Sequence, residues 1–219
     1  MKKASPPLSP SRRPRGRPRE FDEAKVLDQA LEVFWRLGYE GATVADLTGA
    51  TGLTATSLYA AFDSKEGLYR RVLAHYREGP GAGTFLALKE EPTARAAFAR
   101  VLREAARNFT RRKHPPGCMV STAVLRCAET HRPVAEFVTS LRLSSVALFR
   151  ERLVQAVKDG ELSAGTDPGV LARYFGTLLQ GMSVQAADGA TEDDLLALAE
   201  LAMRAWDGGD ARPRAKESS

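Results

Sequence analysis

Two thiols and three imidazoles are the side chains of this sequence that could carry nucleophilic, redox or general acid–base chemistry. The thiols are Cys118 and Cys127, and the imidazoles are His75, His114 and His131. None lies in a GxSxG, HExxH, Rossmann or Walker pattern, and the set has no recognised metal-ligand spacing. The histidines lie near predicted helix ends beside charged residues or proline, where we expect them to be solvated. The sequence therefore predicts no catalytic site, no metal site and no cofactor, and we do not expect an enzyme.

Cys118 is the thiol whose surroundings suggest a role. It follows the string His-Pro-Pro-Gly at 114–117 and opens a predicted helix, and the positive end of a helix lowers the pKa of a thiol. Such a thiol could sense electrophiles or oxidants. The alternative, which we favour, is that Cys118 and Cys127 are small buried apolar residues, because free cysteine is among the most buried residue types.

The strongest concentration of charge lies at the N-terminus. Residues 1–19 contain seven lysines and arginines and no acid, whereas the rest of the chain carries 25 basic against 27 acidic groups. The same stretch has five prolines and can bury little apolar surface, so we expect residues 1–20 to form a disordered basic arm. Basic side chains that contact phosphates release counterions, which indicates an anionic polymer as the partner. A solubilising tail is the alternative.

The arm ends in PRGRPR at residues 14–19, and this string resembles the AT-hook core. In that motif a Gly-Arg-Pro unit flanked by arginines lies extended in the narrow minor groove of A·T-rich DNA. Here Pro18 restricts Arg17 to an extended conformation, and guanidinium groups favour the negative potential of a narrow groove. Arg15, Arg17 and Arg19 are therefore candidate minor-groove contacts.

The elements that position these groups are predicted to be helices. The 219 residues are 43% hydrophobic and 27% charged, which is ordinary globular composition, and from Phe21 onward the apolar residues recur at helical spacing. We therefore expect an all-α fold of about nine helices. No apolar run is long enough to span a bilayer, and the first twenty residues lack the apolar segment of a secretory signal. We expect a cytoplasmic, nucleoid-associated protein without a membrane partner.

Four helices are predicted in the first part of the chain, at about 22–37, 43–51, 54–62 and 65–76. Asp22, Thr43 and Thr54 are good N-terminal caps, and Gly38 and Gly52 are natural stops. The second and third helices are short and are separated by three residues, which gives them the dimensions of a helix-turn-helix. An ordinary helical hairpin is the alternative on spacing alone.

Residues 21–76 resemble the DNA-binding domain of the tetracycline-repressor (TetR) family of bacterial regulators. The strings are RGRPREFD and LEVFWRLGYEGATVADLTGATGLTATSLYAAFDSKEGLYRRVLAHY. The resemblance includes the Gly-Tyr pair after the first helix, the threonine that opens the second, the SLY-x-x-F run of the third and the SKE-x-L opening of the fourth. It implies an N-terminal three-helix helix-turn-helix domain at 21–77, a helical effector-binding and dimerisation domain at 78–207, and a disordered tail at 208–219.

The resemblance also implies roles in DNA binding. Thr43 and Lys65 would contact phosphates, and Tyr59 would reach the backbone or a thymine methyl group. The expected base-reading residues are Thr54, Ala55, Thr56 and Ser57. No Arg, Asn or Gln occurs from 54 to 62, so the third helix has no bidentate purine reader. We expect discrimination to depend on methyl contacts, the arm and DNA shape.

Five further helices are predicted at about 93–112, 118–129, 134–159, 167–187 and 191–206, and the Gly- and Pro-containing stretch 79–92 is predicted to be a linker. The last two have dense apolar faces, and in the resembling family they form a four-helix bundle across a two-fold axis. The candidate dimer-interface residues are Tyr174, Leu178, Gly181, Leu195, Leu198, Ala202 and Trp206. The alternative is that both faces belong to the chain's own core.

A small-molecule effector pocket is expected among these helices. Its candidate lining residues are Phe98, Phe109, Met119, Phe137, Leu141, Phe149, Tyr174, Phe175 and Met182. The resemblance implies a ligand-responsive repressor that binds a palindromic double-stranded DNA operator as a homodimer and is released by the effector. Two alternatives are a thiol sensor acting through Cys118 and an architectural DNA binder without ligand control.

Deletion of residues 1–19 tests the basic arm. Because each neutralised phosphate contributes about 0.9 to the dependence of log affinity on log salt concentration, we expect the slope to become shallower by several units. DNA affinity of the full chain and of the deletion variant, measured over a series of salt concentrations, checks this. An unchanged slope would show that the arm makes no phosphate contacts.

Overall fold

The computed structural model describes residues 21–207, and most of this range is helical. Its nine α-helices are α1 (Glu23–Gly41), α2 (Val44–Thr51), α3 (Ala55–Phe62), α4 (Lys65–Glu78), α5 (Gly83–Glu90), α6 (Ala94–Phe109), α7 (Arg132–Lys158), α8 (Pro168–Ala187) and α9 (Glu192–Asp207). This range contains no strand, which confirms the all-α class, and none of its helices is long and apolar enough to cross a membrane. The predictions for the arm at 1–20 and the tail at 208–219 lie outside the described residues.

The first four helices begin where their caps predict. Asp22 Oδ1 accepts a hydrogen bond from the backbone N–H of Lys25 at 3.2 Å, and Ser64 Oγ accepts one from Gly67 at 3.0 Å. Thr43 and Asp46 form a complete capping box at the start of α2. Each cap satisfies backbone donors that have no partner inside their helix, which fixes the first turn.

A first hydrophobic core lies among α1 to α4. Phe34, Tyr39 and Tyr69 meet at its centre, with ring centroids 4.8 Å apart for Phe34 and Tyr69 and 5.0 Å apart for Tyr39 and Tyr69. Burial raises the pKa of Tyr69, so its hydroxyl stays neutral. Four residues from beyond the first 77 join the core: Met119, Val120, Val134 and Val138. The domain boundary predicted at 77 stays a prediction, because the apolar contacts continue across it.

A second core lies among α5 to α9, with α6 at its centre. Phe98 is fully buried, and its ring centroid lies 5.2 Å from that of Phe149, 4.5 Å from Phe175 and 5.6 Å from Trp206. This packing corrects part of the predicted dimer interface, because Trp206 faces inward. Leu195 and Ala202 are also buried in the same core.

The predicted linker at 79–92 contains α5. Its glycines and proline indicated a loop, but Thr84, Ala87 and Leu88 are spaced along one face of a helix and are buried. Burial of this face against α6 outweighs the local signal. Ala82 provides no side-chain cap, which is why no start signal is visible in the sequence.

The helix predicted at 118–129 does not form. Residues 118–128 consist of turns, bends and irregular backbone, and the short 3-10 turn Glu129–His131 leads into α7. Backbone groups that a helix would pair internally have partners elsewhere, since Cys118 N–H donates to Ser183 Oγ at 2.7 Å and the Arg142 guanidinium donates to the carbonyls of Val120 and Ala123. These tertiary bonds replace the helical ones.

Gly38 interrupts α1 with φ 70° and ψ 174°, a conformation that only glycine adopts without strain. Because no heavy atom lies within 4 Å of an added Cβ, Gly38→Ala should cost about 1–3 kcal/mol of unfolding free energy from the backbone alone. The matched control is Gly49→Ala in α2, which has equal space and helical backbone. The control should stabilise the protein by about 0.5–1 kcal/mol.

Urea unfolding of the two variants and the parent protein measures both changes. Equal shifts of the two variants in one direction would contradict the conformational account of Gly38.

Candidate nucleic-acid interface

The helix-turn-helix predicted from spacing is present. Helix α2 ends at Gly52, whose φ of 67° is left-handed, and Thr54 caps α3 by accepting the Ser57 backbone N–H at 3.2 Å. Leu47 of α2 and Leu58 of α3 are fully buried in the first core. Because Leu58 points inward, the opposite side of α3 faces solvent.

The outward side of α3 consists of small side chains around one tyrosine. The exposed residues include Thr54, Ala55, Thr56, Ser57, Tyr59 and Ala60. Tyr59 is 40% exposed, although it is large and aromatic. Thr54 Oγ1 and Ser57 Oγ lie 2.9 Å apart, so these two hydroxyls are hydrogen-bonded to each other. The structure thus places all the predicted base-reading residues on one accessible surface.

Thr43 was expected to contact a phosphate, but its hydrogen-bond donors are bound to Asp46 in the structure. Its hydroxyl donates to Asp46 Oδ2 at 2.5 Å, and its backbone N–H donates to the same oxygen at 2.8 Å. These bonds lower the pKa of Asp46. Both donors of Thr43 are therefore occupied, and the free donors at the start of α2 are backbone N–H groups. The phosphate contact of Thr43 stays a prediction.

Lys65 lies over an aromatic ring at the start of α4. Its Nζ is 4.7 Å from the centroid of Tyr39, within the range of a cation–π contact. Burial lowers the pKa of Lys65, and the nearby carboxylates of Glu40 and Asp46 act in the opposite direction. The ring holds the ammonium group beside the first turn of α4, close in sequence to the end of α3. Arg15, Arg17 and Arg19 lie outside the described residues.

Comparison with known proteins identifies the family. The family model for bacterial regulatory proteins of the tetR family matches residues 26–72. The repressor ComR of Escherichia coli (strain K12) is 34% identical over 193 residues, which cover 88% of this chain and 92% of ComR. The chain belongs to the tetR family. It is therefore a DNA-binding transcriptional regulator, which is not an enzyme.

Other relatives agree with this assignment. The repressor BdcR of the same E. coli strain is 28% identical over 190 residues, covering 87% of this chain and 91% of BdcR. A cysteine mutant of the TetR family regulator CifR, solved in complex with 26-bp double-strand operator DNA, is 44% identical with a TM-score of 0.84. That match covers 87% of this chain and 100% of CifR.

The sequence predicted that the histidines of this TetR family member are solvated. In the structure each of them instead pairs with an acidic residue of α1. His75 Nε2 lies 2.6 Å from Asp28 Oδ1, and His114 Nδ1 lies 2.9 Å from Glu32 Oε1. His131 Nδ1 lies 2.7 Å from Glu40 Oε1. The signal in the sequence is the spacing of Asp28 and Glu32, which puts two acids on one face of α1. The pairs of His114 and His131 join the DNA-binding helices to the rest of the chain.

An aromatic contact lies beside these pairs. The ring of Trp35 stacks on His114 with centroids 5.4 Å apart, and it meets Tyr76 edge-on at 5.0 Å. The hydroxyl of Tyr76 donates to Cys118 Sγ at 3.4 Å. Helices α1 and α4 are thus connected to the 110–120 segment through rings and one thiol.

Cys118 does not lie at a helix N-terminus, so the dipole argument for its reactivity is wrong. It is half-buried and lines a cavity of about 500 Å³ among α4 to α8. Cys127 lies outside this cavity, and no group of three or more His, Cys, Asp or Glu in residues 21–207 could hold a metal ion.

The cavity includes few of the residues predicted to line it. Phe109 and Phe149 contribute to its wall. Four others are core residues instead, namely Phe98, Met119, Phe175 and Met182. Phe137 and Leu141 pack against the first hydrophobic core, and Tyr174 is exposed on the outer side of α8. Helical periodicity located the apolar residues but did not distinguish the helix faces that pack in a core from the face that lines the cavity.

The predicted dimer interface divides in the same way. Tyr174 and Gly181 are exposed on the outer side of α8, and Leu178 and Leu198 are partly buried and pack against the second core. Leu195, Ala202 and Trp206 are buried. Three exposed apolar residues on these helices were not among the candidate interface residues: Val170, Val184 and Leu201. Within residues 21–207, the outer face of α8 and α9 therefore carries exposed apolar side chains that no other helix covers.

Glu40 provides a pH test of the contact between α1 and the segment that contains Ala128 and His131. The hydrogen bond from His131 and that from the Ala128 backbone N–H lower the pKa of Glu40 below its ordinary 4.5. A carboxyl group whose pKa is lower in the folded protein than in the unfolded chain stabilises the fold at pH values above its pKa in the unfolded chain. This stabilisation is lost as the pH falls through the pKa of the folded protein. Glu40→Gln should therefore reduce stability near neutral pH, with a difference that shrinks in acid.

Urea unfolding at a series of pH values from neutral to below the pKa of Glu40 checks this expectation. Glu78→Gln is the control, because Glu78 is exposed and its carboxylate has no hydrogen-bond or ion-pair partner among residues 21–207. A difference between parent and Glu40→Gln that does not change with pH would contradict the assignment.

Proposed function

We propose that this chain is a transcriptional repressor that binds a palindromic operator as a homodimer and is released by a small-molecule effector. The outward side of α3 carries the DNA-binding part of the proposal. Its exposed Ala55, Thr56 and Ala60 have short side chains, so the helix can approach the floor of a major groove closely. ComR and BdcR are named repressors, and CifR was solved on operator DNA.

In this arrangement Tyr59 and Thr56 present a ring and a methyl group to the duplex. Apolar groups of this kind recognise thymine methyls, which suits a helix without a bidentate purine reader. Lys65 and the N-terminus of α2 contact phosphates on either side. Arg15 and Arg17 of the basic arm add minor-groove contacts, which depend on groove width.

The outer face of α8 and α9 supports the homodimer. Val170 is 65% exposed and Leu201 is 57% exposed, although both are large apolar residues. An added Cβ at Gly181 would meet nothing within 4 Å, so a neighbouring helix can approach closely there. Pairing of this face with its own copy places two α3 helices about one DNA turn, or ~34 Å, apart and requires a palindromic operator.

The cavity favours ligand control over a purely architectural role. At about 500 Å³ it has the size of small-molecule sites in proteins. Its wall includes Tyr76 and Arg77, which belong to the last turn of α4, so an occupied cavity acts directly on a helix of the DNA-binding part. A ligand shifts the protein from the DNA-bound arrangement by as much as its affinity differs between the two states.

Tyr59→Ala tests the role of α3. Genomic fragments selected by the parent protein provide the operator, and we expect the variant to bind it about tenfold to a hundredfold more weakly, because ring and methyl contacts are lost. Tyr59→Phe separates the ring from the hydroxyl. Fluorescence anisotropy at fixed salt measures the affinity, and size-exclusion chromatography measures the oligomeric state.

Leu125→Ala is the matched control, because Leu125 is also large and exposed but lies far along the chain from α3. It should leave operator affinity unchanged. Parent-like affinity of Tyr59→Ala, or a monomer in place of a dimer, would contradict the proposal.

A further inference from the structure

The cavity carries an excess of positive charge. Of the five charged side chains that line it, four are basic: Arg77, Lys89, Arg142 and Arg152. The acid, Glu151, is exposed, as is Lys89, so water screens both. The three arginines are less exposed and determine the charge that a ligand meets.

Arg152 already has a counterion. Its guanidinium lies 3.6 Å from Glu161 Oε1 and donates to the carbonyl of Pro92 at 3.3 Å. The ion pair neutralises the part of the cavity formed by the second half of α7. A ligand gains little charge attraction there.

Arg77 and Arg142 have no carboxylate partner among residues 21–207. Arg142 donates to the carbonyls of Val120 at 3.3 Å and Ala123 at 2.9 Å, and Arg77 donates to Ser144 Oγ at 3.3 Å. Burial lowers the pKa of Arg142, so its surroundings disfavour the charge that it carries. A partly buried cation with only neutral partners is most favourably completed by an anion.

The cationic and apolar parts of the cavity follow one another along α7. Arg142 and Ser145 lie first, and Val146, Leu148 and Phe149 form the next turn of the wall. Since a helix rises about 1.5 Å per residue, Arg142 and the neutralised Arg152 are ~15 Å apart. The cavity is therefore cationic toward the DNA-binding helices and apolar beyond them.

We propose that the effector is an amphipathic organic anion, with a compact oxyanion bound by Arg77 and Arg142 and an apolar body along Val146, Leu148 and Phe149. This inference rests on the proposed function and deepens it by naming the ligand class. Carboxylates and phosphate monoesters both offer oxygens that match the guanidinium fork.

The position of Arg142 links this head group to the DNA-binding part. Its bonds hold the carbonyls of Val120 and Ala123, while Met119 and Val120 are buried in the core of the DNA-binding helices. An oxyanion competes with these carbonyls for the same guanidinium donors. Ligand binding thereby loosens the 118–128 segment, which packs against the first hydrophobic core, and Arg77 transmits the change to the end of α4.

A matched ligand series tests the proposal on the full chain without DNA. Decanoate, decyl phosphate, decanol and decylamine share one apolar body and differ in head group, and isothermal titration calorimetry gives their dissociation constants. One or both anions should bind about tenfold to a hundredfold more tightly than decanol, since a charged hydrogen bond is gained, and decylamine should bind most weakly. The two anions show whether the site takes a carboxylate or a phosphate.

Equal affinities of the better anion and decanol, a preference for decylamine, or no binding by any of the four overturns the proposal. Operator binding by the ligand-free protein is measured separately. If the ligand-free protein does not bind the operator, the proposed function is refuted. The preference for one head group tests the anion site independently of that result.

Arg77→Gln should weaken binding of the preferred anion about tenfold and leave decanol unchanged. Arg150→Gln is the matched control, because Arg150 is exposed on α7 and does not line the cavity. Arg142→Gln is measured together with its thermal unfolding, since Arg142 also holds the 118–128 segment. Parent-like anion affinity in both Arg77→Gln and Arg142→Gln would overturn the assignment of the head-group site.

Discussion

Helix α4 can begin where it does because residue 67 is glycine. A Cβ at this position would lie 2.0 Å from the carbonyl oxygen of Phe62, the last residue of α3. The first turn of α4 therefore packs directly on the end of α3, at a separation that no other side chain permits. Together with the burial of Leu58, this contact fixes the rotation of α3 and hence which of its residues face outward. The orientation of the DNA-binding surface is thus a property of the α3–α4 contact.

The same helix joins that surface to the cavity. At about 1.5 Å per residue, the 14 residues of α4 span ~20 Å from Lys65 to the turn that contains Tyr76 and Arg77. The surrounding junction combines buried apolar residues of the 118–138 region with His–carboxylate pairs that are partly exposed. Partly exposed ion pairs contribute little to stability, so the apolar contacts account for most of the stability of this junction and the His–carboxylate pairs for a smaller part.

The sequence predicted the DNA-binding helices well because their signals are local. The capping box of Thr43 and Asp46 and the left-handed Gly52 act within one turn, and the structure places them as expected. The helix predicted at 118–129 was wrong because the partners of the backbone in this segment, Ser183 and Arg142, are distant in the sequence. Likewise, the core position of Trp206 depends on Phe98 and Phe175, and no periodicity distinguishes that face from the solvent-facing one. Local chemistry was predictable, whereas the choice among tertiary partners was not.

Helix α8 places the cavity and the proposed dimer face on two sides of one element. On its inner side Gly176 lines the cavity, and an added Cβ would lie 2.9 Å from Val146 of α7. On its outer side Tyr174 and Gly181 face solvent. Since a helix with its side chains is about 10–12 Å thick, a ligand that separates α7 from α8 displaces the outer face as well. In the proposed homodimer, displacement of α8 would then change the distance between the two α3 helices, in addition to the change that α4 transmits. Because the distance between half-sites in the DNA is fixed, operator binding is sensitive to both displacements.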